Sequence, residues 1–283
     1  MGPDTSTTHT PALKVRIWGT RGSYPTPVAA NLGHGGNTAC IQVEVPNGDT
    51  ILFDSGTGIH QLGRELAAQP GVPRPIHIFF THFHWDHIQG LLGFAPLFSP
   101  RNTLTFYSSH SSYHLRHVLH GQMVSPYFPI EFDFLSSTRT FVQVAPEGIS
   151  LGDLSISPFA LHHPGGATGY RISRNGSVVV YATDHEHGNA PADATLLHAA
   201  HNADVLIYDA QYTPEAYTSH IGWGHSTWLE ATKLARRAHV KQLVLFHHDP
   251  NHDDATMAQI VAQAREHFPN TIAATEGTTL DIG

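Results

Sequence analysis

A chain of 283 residues has room for one large domain or two small ones, and 40% hydrophobic with 13% charged residues describes a folded globular protein rather than a disordered one. The net charge of −8 and the lack of any Lys/Arg run argue against a broad basic surface for nucleic acid. Cys40 is the single cysteine, which excludes an internal disulfide framework and a thiolate cage for a metal. Histidines number 24 against 15 Lys plus Arg, an excess that favours metal binding. The polar start from Met1 to Pro11 has no apolar core of a signal peptide, and no stretch reaches the length of a membrane span. A soluble cytoplasmic protein is therefore expected.

Residues 1–12 read as a disordered lead, and one domain of stacked α/β layers is expected over 13–283, because no change in composition marks a linker. The alternation of Leu13, Val15 and Ile17 predicts an opening strand, followed by a Gly/Pro-rich loop over 19–36. Strands at 40–45 and 51–53 are expected to pair around an Asn47-Gly48 turn. Ile59, Leu62 and Leu66 give 58–68 a helical spacing that stops before Pro70. The apolar run 76–80 predicts a buried strand, and a short helix is expected at 88–92. Residues 94–140 are the least regular part, an aromatic insert (Phe94, Phe98, Tyr107, Tyr113, Phe132) expected to pack a core or lid, with a substrate wall as the other use. In the second half strands are predicted at 154–161, 169–173, 178–182, 205–209 and 242–246, with helices at 192–200, 227–238 and 253–268. Thr227 with Glu230 three residues on forms a capping box at the start of the second of these helices.

The chemistry concentrates where predicted strands run out. The segment His82-Phe83-His84-Trp85-Asp86-His87 leaves the strand at 76–80 with four metal-capable side chains in six residues. Its spacing lets His82 and His84 face one point while Asp86 and His87 face a second. Imidazole and carboxylate together suit zinc, ahead of manganese or iron. His162-His163 follows the strand ending at Leu161, Asp184 follows the one ending at Ala182, and His247-His248 follows Phe246. Any one of these is ordinary as a surface pair or a turn cap. Four strand exits ending in His or Asp point to one shared two-metal site at a sheet edge.

These segments, together with Gly19-Thr20-Arg21-Gly22-Ser23, Asp54-Ser55-Gly56-Thr57-Gly58 and Gly224-His225-Ser226-Thr227, resemble the metallo-β-lactamase-fold hydrolases over nearly the whole chain. Within them they are most similar to the branch of ribonuclease Z and its cyclic-nucleotide phosphodiesterase relatives. The resemblance implies an α/β four-layer αββα sandwich with a binuclear metal site. It implies that His82, His84 and His163 hold one divalent ion, that Asp86, His87 and His247 hold the other, and that Asp184 bridges them. Zn²⁺ is the ion expected, with Mn²⁺ or Fe²⁺ as alternatives. His162 and His248 remain the alternatives to His163 and His247, and Asp54 is expected to support the site from beneath.

The activity expected is hydrolysis of a small phosphodiester such as a cyclic nucleotide, by in-line attack of a metal-bridging hydroxide. Asp86 would also orient the nucleophile, and His225, at the mouth of a helix, would protonate the leaving alkoxide. The alternatives are lactone or β-lactam hydrolysis at the same centre, and transfer-RNA 3′-processing endonuclease activity. The expected partner is a small anionic substrate, with no large nucleic acid and no membrane; a homodimer is left open.

Overall fold

The computed structural model of the chain describes residues 11–45, 48–69, 71 and 73–283. The first ten residues of the expected lead, Asn47 of the expected turn and Pro70 lie outside them. Strands β1 (Leu13–Gly19), β2 (Cys40–Glu44), β3 (Thr50–Phe53), β4 (Ile76–Phe79), β5 (Thr103–Ser108) and β6 (Thr138–Gln143) lie side by side in that order. A second sheet takes β7 (Ile149–Leu151), β8 (Leu154–Leu161), β9 (Ala167–Arg174), β10 (Ser177–Ala182), β11 (Val205–Asp209), β12 (Gln242–Phe246) and β13 (Thr271–Ala273). The last strand, β14 (Thr279–Ile282), returns to pair antiparallel with β1. Each sheet ends in a parallel run, β3 to β6 and β10 to β13, so the carboxyl ends of these strands open onto one edge.

The central strands of each sheet, such as β4 and β10, are largely apolar on both faces, as expected of strands buried on both sides. In β10, Val179 and Tyr181 face the other sheet while Val178, Val180 and Ala182 face helices; in β4, Phe79 faces inward and Ile76 and Ile78 outward. Period-two alternation thus feeds two apolar layers from one strand. Over the first sheet lie α1 (Ile59–Ala68), the one-turn α2 (Trp85–Ile88) and α3 (Ser112–Gln122). The second is covered by α4 (Ala190–Ala200), α6 (Trp228–Arg237) and α7 (Asp254–His267), with the one-turn α5 (Pro214–Tyr217) beside them. The result is the expected helix–sheet–sheet–helix sandwich with three apolar layers.

Several elements depart from the sequence expectation. The helix expected at 88–92 begins inside the histidine motif at Trp85, then tightens to a 3-10 turn through Gly93. The insert is more regular than its sequence suggests, since it contains β5, α3 and β6 and buries Phe94, Phe106 and Phe132 in the outer core of the first sheet. Thr227 Oγ1 accepts from the Glu230 N–H at 3.1 Å as a cap, but the Glu230 carboxylate turns to Lys233 Nζ at 2.6 Å rather than back to the cap. No helix among the described residues is long and apolar enough to cross a membrane.

Candidate metal centre

Three strands of the parallel runs end in residues that leave in the left-handed backbone region. Asp54 after β3, Asp184 after β10 and His247 after β12 have φ of 61°, 58° and 60°. Non-glycine residues rarely sit there, at a cost of about 1–3 kcal/mol each, and such strain collects at functional sites. The turn swings each side chain off its strand line toward a common point.

Around that point the candidate ligands form two overlapping groups. His82, His84 and His163 make one, with His84 Nδ1 and His163 Nε2 3.0 Å apart. Asp86, His87, Asp184 and His247 make the other. Asp184 lies between them. Its Oδ1 is 3.7 Å from His82 Nε2 and 3.8 Å from His163 Nε2, while its Oδ2 is 3.1 Å from His87 Nε2 and 3.4 Å from His247 Nε2. Asp86 Oδ2 closes the second group at 3.3 Å from His87 Nε2 and 3.2 Å from His247 Nε2.

Hydrogen bonds on the far side of each ring fix which nitrogen faces inward. His87 Nδ1 donates to Asp54 Oδ2 at 2.9 Å, His163 Nδ1 to the Gly224 carbonyl at 2.9 Å, and His247 Nδ1 to Gln211 Oε1 at 2.9 Å. Thr81 Oγ1 donates to Asp54, which leaves it to accept from His82 Nδ1 at 3.1 Å. The Nε2 lone pairs of these four histidines then converge on the carboxylates, the arrangement that orients imidazole for a cation. His82 Nε2 and His87 Nε2 are buried without a hydrogen-bond partner, an arrangement a polar interior avoids unless something else fills the gap.

The charges point the same way. Asp54, Asp86, Asp184 and Asp209 are all buried, and among the described residues no Lys or Arg pairs with them. Burial opposes ionisation of Asp86 and Asp184, but the surrounding histidines hold both well below the usual carboxylate range. Burial pushes His82, His84 and His163 down toward the neutral form that a ligand must have. His87 is the exception: Asp184, Asp86 and Asp54 outweigh burial and raise it. Buried carboxylates with too little positive charge, facing unpartnered imidazole nitrogens, fit a divalent cation set of the N/O kind.

Of the doubtful pairs, the structure brings one member of each to this cluster. His163 is there, whereas His162 is exposed and its Nδ1 sits 3.1 Å from the Glu186 carbonyl. His247 is there, whereas His248 points away, with Nε2 donating to the Ala274 carbonyl at 2.9 Å. His225 also reaches the cluster, and its partner is one the sequence did not single out: Nδ1 donates to Asp209 Oδ2 at 2.8 Å. Asp209 is the last residue of β11, so its strand-end position was the available signal. Burial opposes charge on His225, but Asp209, then Asp184 and Asp86, raise its pKa to about 9. The opening loop contributes backbone: Ser23 N–H donates to Asp86 Oδ2 at 2.8 Å. Gly22 lets that loop pass, since a Cβ there would lie 2.3 Å from His247 Nδ1. An open cavity of about 460 Å³ exposes the centre, lined by Ser23, Phe83, His84, Trp85, Asp86, Asp184 and His225.

The β-lactamase superfamily domain matches residues 49–248. The chain belongs to the β-lactamase superfamily. This superfamily member is 27% identical to a protein named ribonuclease Z from Thermoplasma acidophilum, over 92% of this chain and 93% of the relative. It superposes on the metallo-β-lactamase fold protein YhfI from Bacillus subtilis with a TM-score of 0.71 at 20% identity, covering 96% of this chain and 99% of that one. It also superposes on a diphosphatase of the PhnP family with a TM-score of 0.69 at 19% identity, covering 95% and 97%. The chain thus has the metallo-β-lactamase fold, and it is a metal-dependent hydrolase. The expectation that no large nucleic acid is a partner is corrected here, because a relative matched over nearly the whole chain bears the name of a ribonuclease. Net charge is a sum over the whole surface, and −8 overall does not set the field at a site built to collect cations.

Proposed function

We propose that this protein is a phosphodiesterase whose centre holds two divalent cations, zinc by the chemistry of the donors. His82, His84 and His163 would hold one and Asp86, His87 and His247 the other, each also meeting one oxygen of Asp184. When bound, such a pair supplies Lewis acidity toward phosphate oxygens and lowers the pKa of water toward neutrality. The chain's own residues then do the rest. Asp86 lines the cavity and, fixed by the Ser23 N–H, can orient a water beside it. His225 faces the same cavity with Nδ1 committed to Asp209, which leaves Nε2 as the donor to a departing alkoxide.

The Asp209–His225 pair carries this reading. An alkoxide leaving phosphorus is a strong base, and a buried carboxylate behind an imidazole both aims the ring and stabilises its protonated form. Trp85, 59% exposed, lines the cavity beside His84 and offers a ring face to a base next to the scissile phosphate. None of the residues lining that cavity comes from the 94–140 insert, so the stacking face shifts to the histidine motif itself. The ribonuclease Z relative extends the substrate class from small diesters, such as cyclic nucleotides, to an RNA backbone.

Turnover of bis(p-nitrophenyl) phosphate, cyclic mononucleotides and an RNA with a 3′ trailer tests the proposal, with Zn²⁺ or Mn²⁺ supplied. The expected result is metal-dependent cleavage of at least one diester, abolished by a chelator and restored by added metal. Metal-loaded protein that cleaves none of the three, yet opens a lactone, would replace it with acyl chemistry.

A further inference from the structure

We propose that Glu186 is a positioning residue for the hydrolytic centre, acting through the backbone of Gly224 on the rings of His163 and His225. The inference rests on the phosphodiesterase reading for its kinetic arm only.

Glu186 follows Asp184 by two residues as the chain leaves β10, and the residue is only 4% exposed. Among the described residues no Lys or Arg pairs with it. Its charge is met instead by three donors from one strap of chain. Oε1 accepts from the Gly222 N–H at 2.7 Å and the Tyr217 hydroxyl at 2.9 Å, and Oε2 accepts from the Gly224 N–H at 2.8 Å. A carboxylate receiving backbone N–H groups makes charge-assisted bonds, roughly twice as strong as neutral ones.

The strap needs such an anchor. Ile221, Gly222 and Trp223 are exposed, and α5 buries none of its residues, so apolar packing holds little of the segment. Yet the next two residues touch the centre. The Gly224 carbonyl accepts from His163 Nδ1 at 2.9 Å, and His225 Nδ1 reaches Asp209 at 2.8 Å. Gly224 has φ of 90°, and a Cβ there would lie 2.2 Å from His163 Nδ1, so the backbone itself is pressed against the ring. One residue, Gly224, therefore connects the Glu186 carboxylate through its N–H to a ring of the metal-facing cluster through its carbonyl, and leads directly into His225. The Glu186 N–H, donating to the His162 carbonyl at 2.8 Å, ties the same residue to the turn that carries His163.

The test compares Glu186→Ala, Glu186→Gln and Tyr217→Phe as full-length, zinc-loaded proteins. Glu186→Ala should lower kcat and the zinc affinity read by chelator competition by about 10–100-fold, the usual effect of removing a group that orients a ligand. KM should stay near wild type. Hydrogen exchange of the 218–225 amides should rise. Glu186→Gln, with one acceptor oxygen left, should fall between alanine and wild type. Tyr217→Phe removes only the hydroxyl donor, keeps both glycine bonds and should match wild type. Faster exchange in the alanine and glutamine variants with unchanged zinc affinity and kcat would overturn the proposal and leave Glu186 a loop pin. If the wild type cleaves no diester, the phosphodiesterase reading fails alone, and zinc affinity with amide exchange still decides the role of Glu186.

Discussion

Replacing His225 by alanine should lower kcat on a nucleotide diester by roughly 10²–10⁴-fold, the range for loss of a positioned general acid. KM should change little, because the phosphate is held by the metal-facing groups rather than by this ring. The loss should depend on the leaving group. A p-nitrophenolate departs without a proton, so bis(p-nitrophenyl) phosphate should suffer far less than a substrate that releases a ribose hydroxyl. The pH profile follows with a fixed sign. Asp209, Asp184 and Asp86 outweigh burial and raise the pKa of His225 to about 9. Cations bound to Asp184 and Asp86 withdraw part of that support, so kcat should fall as pH rises through a value below 9, and this alkaline limb should vanish in the variant. Equal losses on both substrates would remove His225 from the proton path.

Asp184→Ala should be the more damaging change. Among the described residues no other side chain presents one oxygen to His82 and His163 and the other to His87 and His247. Its loss separates the two halves of the centre and leaves four buried imidazoles facing a void. The expected activity loss exceeds the ~10²–10³-fold that follows removal of a single preorganised electrostatic group. The fold should survive, because Val178, Val180 and Tyr181 in β10 remain packed on both faces. Steady-state kinetics with circular dichroism as the folding control checks this. A variant retaining a tenth or more of wild-type kcat would show that Asp184 is not shared between the groups.

β10, β11 and β12 in the second sheet were legible because each is a nearly continuous apolar run that gives way to Asp or His. The strands 154–161, 205–209 and 242–246 agree with β8, β11 and β12, and β10 extends one residue beyond the expectation. β6, with the sequence Thr-Arg-Thr-Phe-Val-Gln, was missed because it buries none of its residues fully, so no apolar run marks it. β13 and β14 are three and four residues long and fall below any periodicity. The strand exits carrying His82, His163, Asp184 and His247 stood out because each breaks an apolar run with a polar group. What could not be read were contacts between distant segments. Asp209 behind His225, the Ser23 N–H on Asp86 and the Glu186 carboxylate on Gly224 join residues up to 63 positions apart. The left-handed turns at Asp54, Asp184 and His247 were equally hidden, since no glycine announces them. Nearby histidines have partners of their own: His185 Nε2 meets Asp193 Oδ1 at 3.0 Å, His187 Nδ1 meets Ser226 Oγ at 2.9 Å, and His220 stacks on Tyr212.

Zinc titration of metal-free protein, with elemental analysis of the dialysed complex, addresses the centre most directly. Two zinc ions per chain are predicted, falling in His163→Ala and in His247→Ala alike while the fold persists. Wild-type protein that retains no zinc, or variants that both keep the full wild-type stoichiometry, would contradict the account.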